Sequence, residues 1–123
     1  MNEEHICKAT VLHCIDFRIQ RFLNEYLEER FAGSYDRISV AGGVRNVPLD
    51  QFEVSIRLHQ PKTIVLIQHE DCGAYGGSEK LGEGEQEFQE RQLEIAATVI
   101  QKEHPEAALQ KYFVKLSREL VEV

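Results

Sequence analysis

Short apolar runs and amphipathic stretches alternate along the chain and predict strands that alternate with helices. Three apolar runs rich in β-branched residues predict strands at residues 8–14, 37–41 and 63–68. Apolar side chains spaced by three and four between Ile19 and Phe31 predict a first helix. Pro48, a residue suited to a first helical turn, opens the second helix.

The C-terminal half continues this pattern after a glycine-rich stretch. Residues 73–84 contain five glycines and are predicted to form a loop. A Glu- and Gln-rich helix is expected over residues 85–102, with a solvated charged side and a buried face made of Phe88, Ile95, Ala96, Val99 and Ile100. Residues 111–116 and 120–123 are predicted to be two short strands of a terminal hairpin.

This order of elements predicts an α/β fold with a central, mostly parallel sheet flanked by helices, since strand–helix–strand connections join parallel strands. The simplest order for the first three strands is 2-1-3, with the C-terminal strands added beyond them. No repeat or linker interrupts the 123 residues, a length typical of one domain, so residues 1–123 are expected to form a single domain.

Charge and cysteine content narrow the classes of function. The 21 acidic residues outnumber the 14 basic ones, which gives a net charge of -7 and argues against nucleic acid or anionic membrane as a partner. No apolar run approaches the ~20 residues of a membrane span, and residues 1–4 lack the basic region of a secretory leader. Three cysteines, an odd number, predict reduced thiols and a cytoplasmic location.

Metal-binding residue types follow the ends of two strands that the predicted order makes neighbours. Cys14 ends the first predicted strand, and His69 and Cys72 follow the third. Ligands bind such sheets at the carboxyl ends of the strands, so these three side chains are expected to converge. Two thiolates and an imidazole suit Zn²⁺, and three protein ligands leave a fourth position for water. Bound to zinc, that water ionises near pH ~7 and becomes a nucleophile.

Asp16 and Arg18 lie beside the first of these candidate ligands. Residues two apart can point the same way, so Asp16 is expected to meet both Arg18 and the fourth position of the metal. There its carboxylate has two open roles. It either orients the zinc-bound hydroxide through a hydrogen bond or binds the zinc itself and blocks it.

These residues form two motifs, Cys14-x-Asp16-x-Arg18 and His69-x-x-Cys72-Gly73, with the segment Ala41-Gly42-Gly43-Val44 between them. In this order they resemble the signatures of the β-class carbonic anhydrases over residues 9–75. The resemblance implies a zinc lyase that interconverts carbon dioxide and bicarbonate and forms a homodimer or a multiple of it. It also implies the roles of the matching residues: metal ligands Cys14, His69 and Cys72, and catalytic residues Asp16 and Arg18. Gly42 and Gly43 are expected either to line the substrate position or merely to permit a turn, and Gly73 is expected to line the substrate position.

One departure from the family pattern keeps other functions open. Phe17 stands where the family commonly has serine, and its bulk is expected either to make the pocket narrower and more apolar or to pack in the core. An apolar pocket would favour a related substrate such as carbonyl sulfide. A third alternative is a non-catalytic zinc- or anion-binding module with Asp16 as permanent fourth ligand. Asp71 and Tyr75 are further candidates for supporting the site from behind the ligands.

Overall fold

The computed structural model describes residues 5–123. Residues 1–4, which carried the expectation about a leader and begin the predicted domain, lie outside the described residues. The described chain contains five strands and four α-helices: β1 (Ala9–His13), α1 (Phe17–Phe31), β2 (Tyr35–Ser39), α2 (Leu49–His59), β3 (Thr63–His69), α3 (Gly77–Leu81), α4 (Glu85–Glu103), β4 (Ala108–Val114) and β5 (Leu120–Glu122).

The strands form one sheet in the order β2-β1-β3-β4-β5. Strand β1 pairs in parallel with both β2 and β3, β4 is parallel to β3, and β5 is antiparallel to β4. The predicted α/β class, the 2-1-3 order and the terminal hairpin are therefore confirmed. Because the first four strands are parallel, their carboxyl ends lie at one edge of the sheet, and the metal-binding motifs follow β1 and β3 at that edge.

Each face of the sheet supports its own hydrophobic core, because alternate residues of a strand point to opposite faces. Val11 of β1 and Val65 of β3 face helix α1, whose apolar stripe supplies Ile19, Leu23, Leu27 and Phe31. Leu12 and Leu66, one position further along each strand, face α2 and α4, which supply Phe52, Leu93, Ala96 and Ile100. The two central strands are thus covered on both faces, which holds their ends rigidly beside each other.

Two strands, β2 and β4, differ from their predicted bounds by more than one residue. Strand β2 spans Tyr35–Ser39 rather than 37–41, since its five residues pair with the whole of β1 and the chain then turns through a Gly43 N–H to Val40 carbonyl bond of 3.0 Å. Strand β4 begins at Ala108 instead of residue 111, because β3 offers it partners from Thr63 onward.

The glycine-rich segment and helix α4 also differ from the prediction. Within residues 73–84, predicted to be loop, the chain forms the short helix α3 and two 3₁₀ turns. In α4 the buried face runs through Gln89, Leu93, Ala96 and Ile100, so Ile95, which is 59% exposed, and Val99 face solvent. No helix within residues 5–123 combines the length and apolarity that crossing a membrane requires.

Candidate metal centre

The three predicted ligands converge at the edge of the sheet. The donor atoms of Cys14, His69 and Cys72 all lie within 4.8 Å of one another, and all three residues are buried. The two Sγ atoms are 4.0 Å apart. Two sulfurs bound at ~2.3 Å to one tetrahedral ion would be about 3.8 Å apart, so the observed spacing suits a single metal ion.

Local backbone structure places each donor. Cys14 directly follows β1, and His69 is the last residue of β3, which pairs with β1 in the register Leu12 to Leu66. Asp71 then adopts a left-handed conformation with φ 59°, which turns the chain so that Cys72 returns to the strand end. The Cys72 carbonyl accepts backbone N–H bonds from Tyr75 and Gly77, at 3.1 and 3.0 Å, and these fix the turn.

The imidazole of His69 is prepared to bind a cation. Its Nδ1 lies 2.7 Å from the Glu70 carbonyl oxygen, which only accepts, so Nδ1 carries the proton and Nε2 keeps a free lone pair. Nε2 is buried and has no hydrogen-bond partner among residues 5–123. A buried, unpartnered acceptor is costly unless something binds it. With two thiols beside it, the chemistry of this donor set fits Zn²⁺.

The two thiols interact with each other at this site, with their Sγ atoms 4.0 Å apart. This interaction lowers the pKa of Cys14, while the same interaction and burial raise the pKa of Cys72. Burial opposes protonation of His69, yet the neighbouring Cys14 sulfur and the Glu70 carbonyl leave the pKa of His69 raised overall. A divalent cation would replace these protons, because metal ligands of these types bind in their deprotonated forms.

The backbone of Cys14 is held by side chains that the sequence analysis did not assign to the site. The Cys14 carbonyl accepts hydrogen bonds from His13 Nδ1 at 2.8 Å and Gln20 Nε2 at 3.0 Å. Arg37 Nε donates to His13 Nε2 at 2.7 Å, and this fixes the tautomer of that buried ring. Burial lowers the pKa of His13, so the ring stays neutral. A histidine diagonal to an arginine on the neighbouring strand was the available signal, but it required the β1–β2 register, which pairs His13 with Ser39.

Asp16 and Arg18 form the predicted pair at the rim of the donor cluster. Asp16 caps helix α1 by accepting from the Arg18 backbone N–H at 2.8 Å. Both of its carboxylate oxygens also accept from the Arg18 guanidinium, the shortest contact being 2.7 Å from Nη2. These bonds lower the pKa of Asp16 to about 2. Asp16 Oδ2 lies 3.9 Å from His69 Nε2, so an ionised carboxylate stands beside the three donor atoms.

The glycine segment after β2 also contacts the cluster. Gly42 N–H donates to Cys14 Sγ at 3.4 Å, and its φ of 80° favours glycine. A Cβ on Gly43 would stand 2.2 Å from Gln68 Oε1, so only glycine fits there. The Gln68 side-chain amide donates to the Gly42 carbonyl and to the Tyr75 hydroxyl, and these bonds hold the glycine segment in place.

Gly73, in the turn after β3, follows Cys72. A Cβ built there would meet no described atom within 4 Å.

Phe17 does not pack in the core or line a narrow pocket of the chain. It is 85% exposed, and the neighbouring Ile15 is 58% exposed. Their positions follow from the cap at Asp16: helix α1 turns Ile19 and Leu23 towards the sheet, so its first residue points outward. Two apolar side chains therefore flank the candidate metal centre at the surface.

Comparisons with known proteins agree on one family. The family model described as "Putative carbonic anhydrase" matches residues 4–123. The fold is similar to that of a carbonic anhydrase from Glaciozyma antarctica, with a TM-score of 0.71 at 20% identity over 93% of this chain and 80% of that one. It is also similar to a carbonic anhydrase from Streptococcus mutans, with a TM-score of 0.72 at 15% identity, covering 96% and 83% of the two chains.

A third solved structure shares the fold. The β-carbonic anhydrase isoform I from Trichomonas vaginalis has a TM-score of 0.63 at 13% identity, with 93% of this chain and 80% of that chain covered. No curated protein sequence matches the chain. At these identities the structural similarity establishes the fold, and the match to the family model covers the chain from residue 4 to its last residue.

Replacing one sulfur ligand tests the metal centre. Cys72→Ser should lose bound zinc, because a serine hydroxyl is a far weaker zinc ligand than a thiolate. Cys7→Ser is the matched control, since Cys7 lies outside the cluster and its thiol donates to the Ala9 carbonyl at 3.3 Å. Zinc content by elemental analysis, together with the rise in Tm on adding zinc, measures both variants. A full complement of zinc in Cys72→Ser would remove that residue from the ligand set.

The Asp16–Arg18 pair predicts a defined pH dependence in the metal-free protein. The pKa of Asp16 is lowered from 3.8 to about 2 on folding, so the folded state binds fewer protons than the unfolded state between these values. The pair therefore stabilises the fold above pH ~3.8, and this stabilisation disappears as the pH falls through about 2. Arg18→Gln should move the pKa of Asp16 back towards 3.8, as followed by carboxyl carbon NMR.

Arg21→Gln is the control for that titration, because it removes an exposed arginine paired with Glu25 at 3.7 Å on the same helix. It should leave the titration of Asp16 unchanged. The difference in unfolding free energy between the wild type and Arg18→Gln should shrink towards zero as the solution is acidified. A difference that stays constant down to pH ~2 would contradict the assignment.

Proposed function

Since this chain belongs to the carbonic anhydrase family, we propose that it catalyses the reversible hydration of carbon dioxide to bicarbonate. The cofactor is a zinc ion held by Cys14, His69 and Cys72. The observation that carries this proposal is the convergence of three buried donor atoms beside a carboxylate fixed by arginine. One donor is an imidazole nitrogen that has no hydrogen-bond partner within residues 5–123. Two motifs separated by more than fifty residues meet at this point.

In the proposed reaction, zinc would activate the water, and the side chains around it would orient that water. Zinc, when bound, supplies a Lewis acid that makes water nucleophilic near neutral pH. Asp16 is ionised throughout the neutral range because Arg18 lowers its pKa to about 2. It therefore accepts a hydrogen bond from the reacting water and directs the remaining lone pair towards carbon dioxide, but it is too weak a base to remove the proton. The proton leaves to solvent.

Arg18 keeps Asp16 in this accepting role. Three contacts between 2.7 and 3.2 Å join the guanidinium to the two carboxylate oxygens of Asp16. A carboxylate oxygen of Asp16 that is already bound to the Arg18 guanidinium binds a metal ion less strongly. This arrangement supports an open fourth position on the metal, and it disfavours the alternative in which Asp16 permanently occupies that position in a non-catalytic module.

The glycines complete the proposed substrate position. Gly42 stabilises a Cys14 thiolate through its backbone N–H, and Gly43 allows the chain to pass close to Gln68. Gly73 leaves open space next to Cys72. We assign Gly42, Gly43 and Gly73 to the wall around carbon dioxide, a small linear molecule that needs room more than specific contacts.

Carbonyl sulfide is the comparison substrate. Its case depended on Phe17 making the pocket apolar, and a side chain that is 85% exposed in the single chain gives no such lining. Carbon dioxide therefore remains the proposed substrate. The three cysteines are free thiols, which supports the proposed reducing, cytoplasmic location.

Two exposed apolar side chains beside the site support a homodimer. Ile15 and Phe17 lie on either side of Asp16 in the sequence, and together they present an apolar surface next to the catalytic pair. We propose that a second copy of the chain covers them, in agreement with the assembly that the family resemblance implies. The alternative of nucleic acid or a membrane surface is disfavoured by the net charge of -7.

Stopped-flow measurement of carbon dioxide hydration tests the function. The zinc-loaded wild type should accelerate the reaction, and Asp16→Ala should keep its zinc but lose about 100-fold in kcat/KM, since it loses the group that orients the reacting water. Asp50→Ala, which removes an exposed carboxylate at the start of α2, should behave like the wild type. A zinc-loaded wild type that hydrolyses carbonyl sulfide but leaves carbon dioxide unaffected would overturn the proposal.

Sedimentation velocity tests the assembly. The wild type should sediment as a dimer at micromolar concentration, and Phe17→Lys should shift the population towards monomer, because it places a charge in an apolar contact. Val54→Lys is the control: Val54 is an exposed apolar residue of α2, away from the metal centre. A wild type that remains monomeric throughout the concentration series would contradict the homodimer.

A further inference from the structure

Arg18 is held by a second carboxylate besides that of Asp16. Its Nη1 donates to Asp71 Oδ2 at 3.0 Å, and its Nη2 donates to the Asp71 backbone carbonyl at 2.9 Å. Asp71 belongs to the turn between His69 and Cys72, two of the proposed metal ligands. The guanidinium therefore connects the start of helix α1 to the loop that carries the ligands, over a separation of 53 residues in sequence.

Asp71 is itself fixed by contacts on its other sides. Its Oδ1 accepts from the Ser78 backbone N–H at 2.7 Å, and its own N–H donates to Glu85 Oε2 at 2.6 Å. Glu85 Oε1 accepts from the Ser78 hydroxyl at 2.7 Å. Glu85 is only 7% exposed, so a buried carboxylate on α4 anchors the turn. Gly77 has no side chain that could displace this carboxylate, whereas a Cβ there would come within 2.7 Å of Asp71 Oδ1.

We propose that Asp71 is a positioning residue: it anchors Arg18 to the ligand loop, so that Arg18 in turn keeps the Asp16 carboxylate beside the metal position without letting it bind there. This inference rests on the proposed function for its catalytic consequence. The geometric part of the inference does not depend on that function: Asp71 holds Arg18, and Arg18 holds Asp16, whatever reaction the protein catalyses.

The physical reason lies in the partial exposure of Arg18. Its side chain is 34% exposed, and an arginine that pairs with a single carboxylate at a surface gains little over hydration. The two bonds to Asp71 help to fix the plane of the guanidinium, and they bring its hydrogen bonds to carboxylate or carbonyl oxygens to five. Without Asp71 the Arg18 guanidinium can turn away from the Asp16 carboxylate, and a carboxylate released from Arg18 is a competent zinc ligand.

Asp71→Asn removes this anchor with little other change. Asparagine tolerates the left-handed conformation and retains an oxygen for the Ser78 N–H, but its amide nitrogen cannot accept from Arg18. Asp71→Gly provides a second variant, because glycine adopts a φ of 59° without strain and loses both side-chain bonds. Glu25→Gln is the control, since it converts the acid of the Arg21–Glu25 pair on α1 into an amide far from the loop. Circular dichroism verifies that all three fold.

Two measurements follow Arg18 and the metal separately from activity. In the metal-free protein, NMR should show the Arg18 Nη–H protons exchanging with water about tenfold faster in Asp71→Asn and Asp71→Gly, because Nη1 loses its charge-assisted hydrogen bond to Asp71 Oδ2. With cobalt in place of zinc, the absorption spectrum of these variants should change as the Asp16 carboxylate enters the coordination sphere. In the zinc-loaded protein, kcat/KM for carbon dioxide should fall 10- to 100-fold at full zinc content.

The outcomes separate this inference from the proposed function. A wild type without carbon dioxide hydration would overturn the function, while the exchange and cobalt measurements would still decide the role of Asp71. If Arg18 exchange and the cobalt spectrum in both Asp71 variants match those of Glu25→Gln, Asp71 has no positioning role and the inference is wrong.

Discussion

Parallel pairing of β1 with β3 is the constraint on which the site depends. Cys14 and Cys72 are 58 residues apart in the sequence, yet their sulfur atoms lie 4.0 Å apart. That distance is set by two fully covered strands in the register Leu12 to Leu66, with α1 packed on one face and α2 and α4 on the other. The hydrophobic cores thus supply the free energy that brings the donor atoms together, and a metal ion would find its ligands already assembled.

Assembling such donors inside a protein is costly, and the surrounding backbone offsets part of that cost. Buried polar groups need partners. The Cys14 carbonyl receives two side-chain donors, the Cys72 carbonyl receives two backbone N–H groups, and the Nδ1 proton of His69 has the Glu70 carbonyl. After these bonds are counted, His69 Nε2 has no hydrogen-bond partner in the part of the chain that the structure describes. The network therefore satisfies the polar groups around the cluster and leaves a lone pair pointing at the place where a metal ion would bind.

The sequence predicted the parts of the structure that depend on periodicity and residue type. Three ligand-type residues at the ends of predicted neighbouring strands were enough to locate the cluster, because parallel sheets bring strand ends to one edge. The buried face of α4 was predicted correctly at Ala96 and Ile100 but wrongly at Ile95 and Val99, which are exposed. Gln89, a polar residue, is buried on this face and bonds to Gln68 at 2.9 Å.

The supporting contacts could not be predicted for a related reason. The bond from Arg37 to His13 depends on the register between β1 and β2, and the bonds from Glu85 to Asp71 and Ser78 depend on how α4 meets a turn. The preferences of single residues for helix or strand reveal neither the register of two strands nor the way a helix packs against a turn. Polar residues that are buried because they bond to each other resemble surface residues in the sequence, and only the assembled sheet distinguishes them.

Charge explains how Asp16 can lie beside a metal position without occupying it. In the proposed zinc enzyme, two thiolates formally neutralise the ion, which weakens its attraction for a third anion. Arg18 meanwhile offers Asp16 a full positive charge at 2.7 Å. Asp71 shares that guanidinium, but it does so with a single oxygen at 3.0 Å and its backbone carbonyl. Asp16 therefore keeps the closer contact with Arg18, and its Oδ2, 3.9 Å from His69 Nε2, is stabilised as an acceptor for water rather than as a ligand.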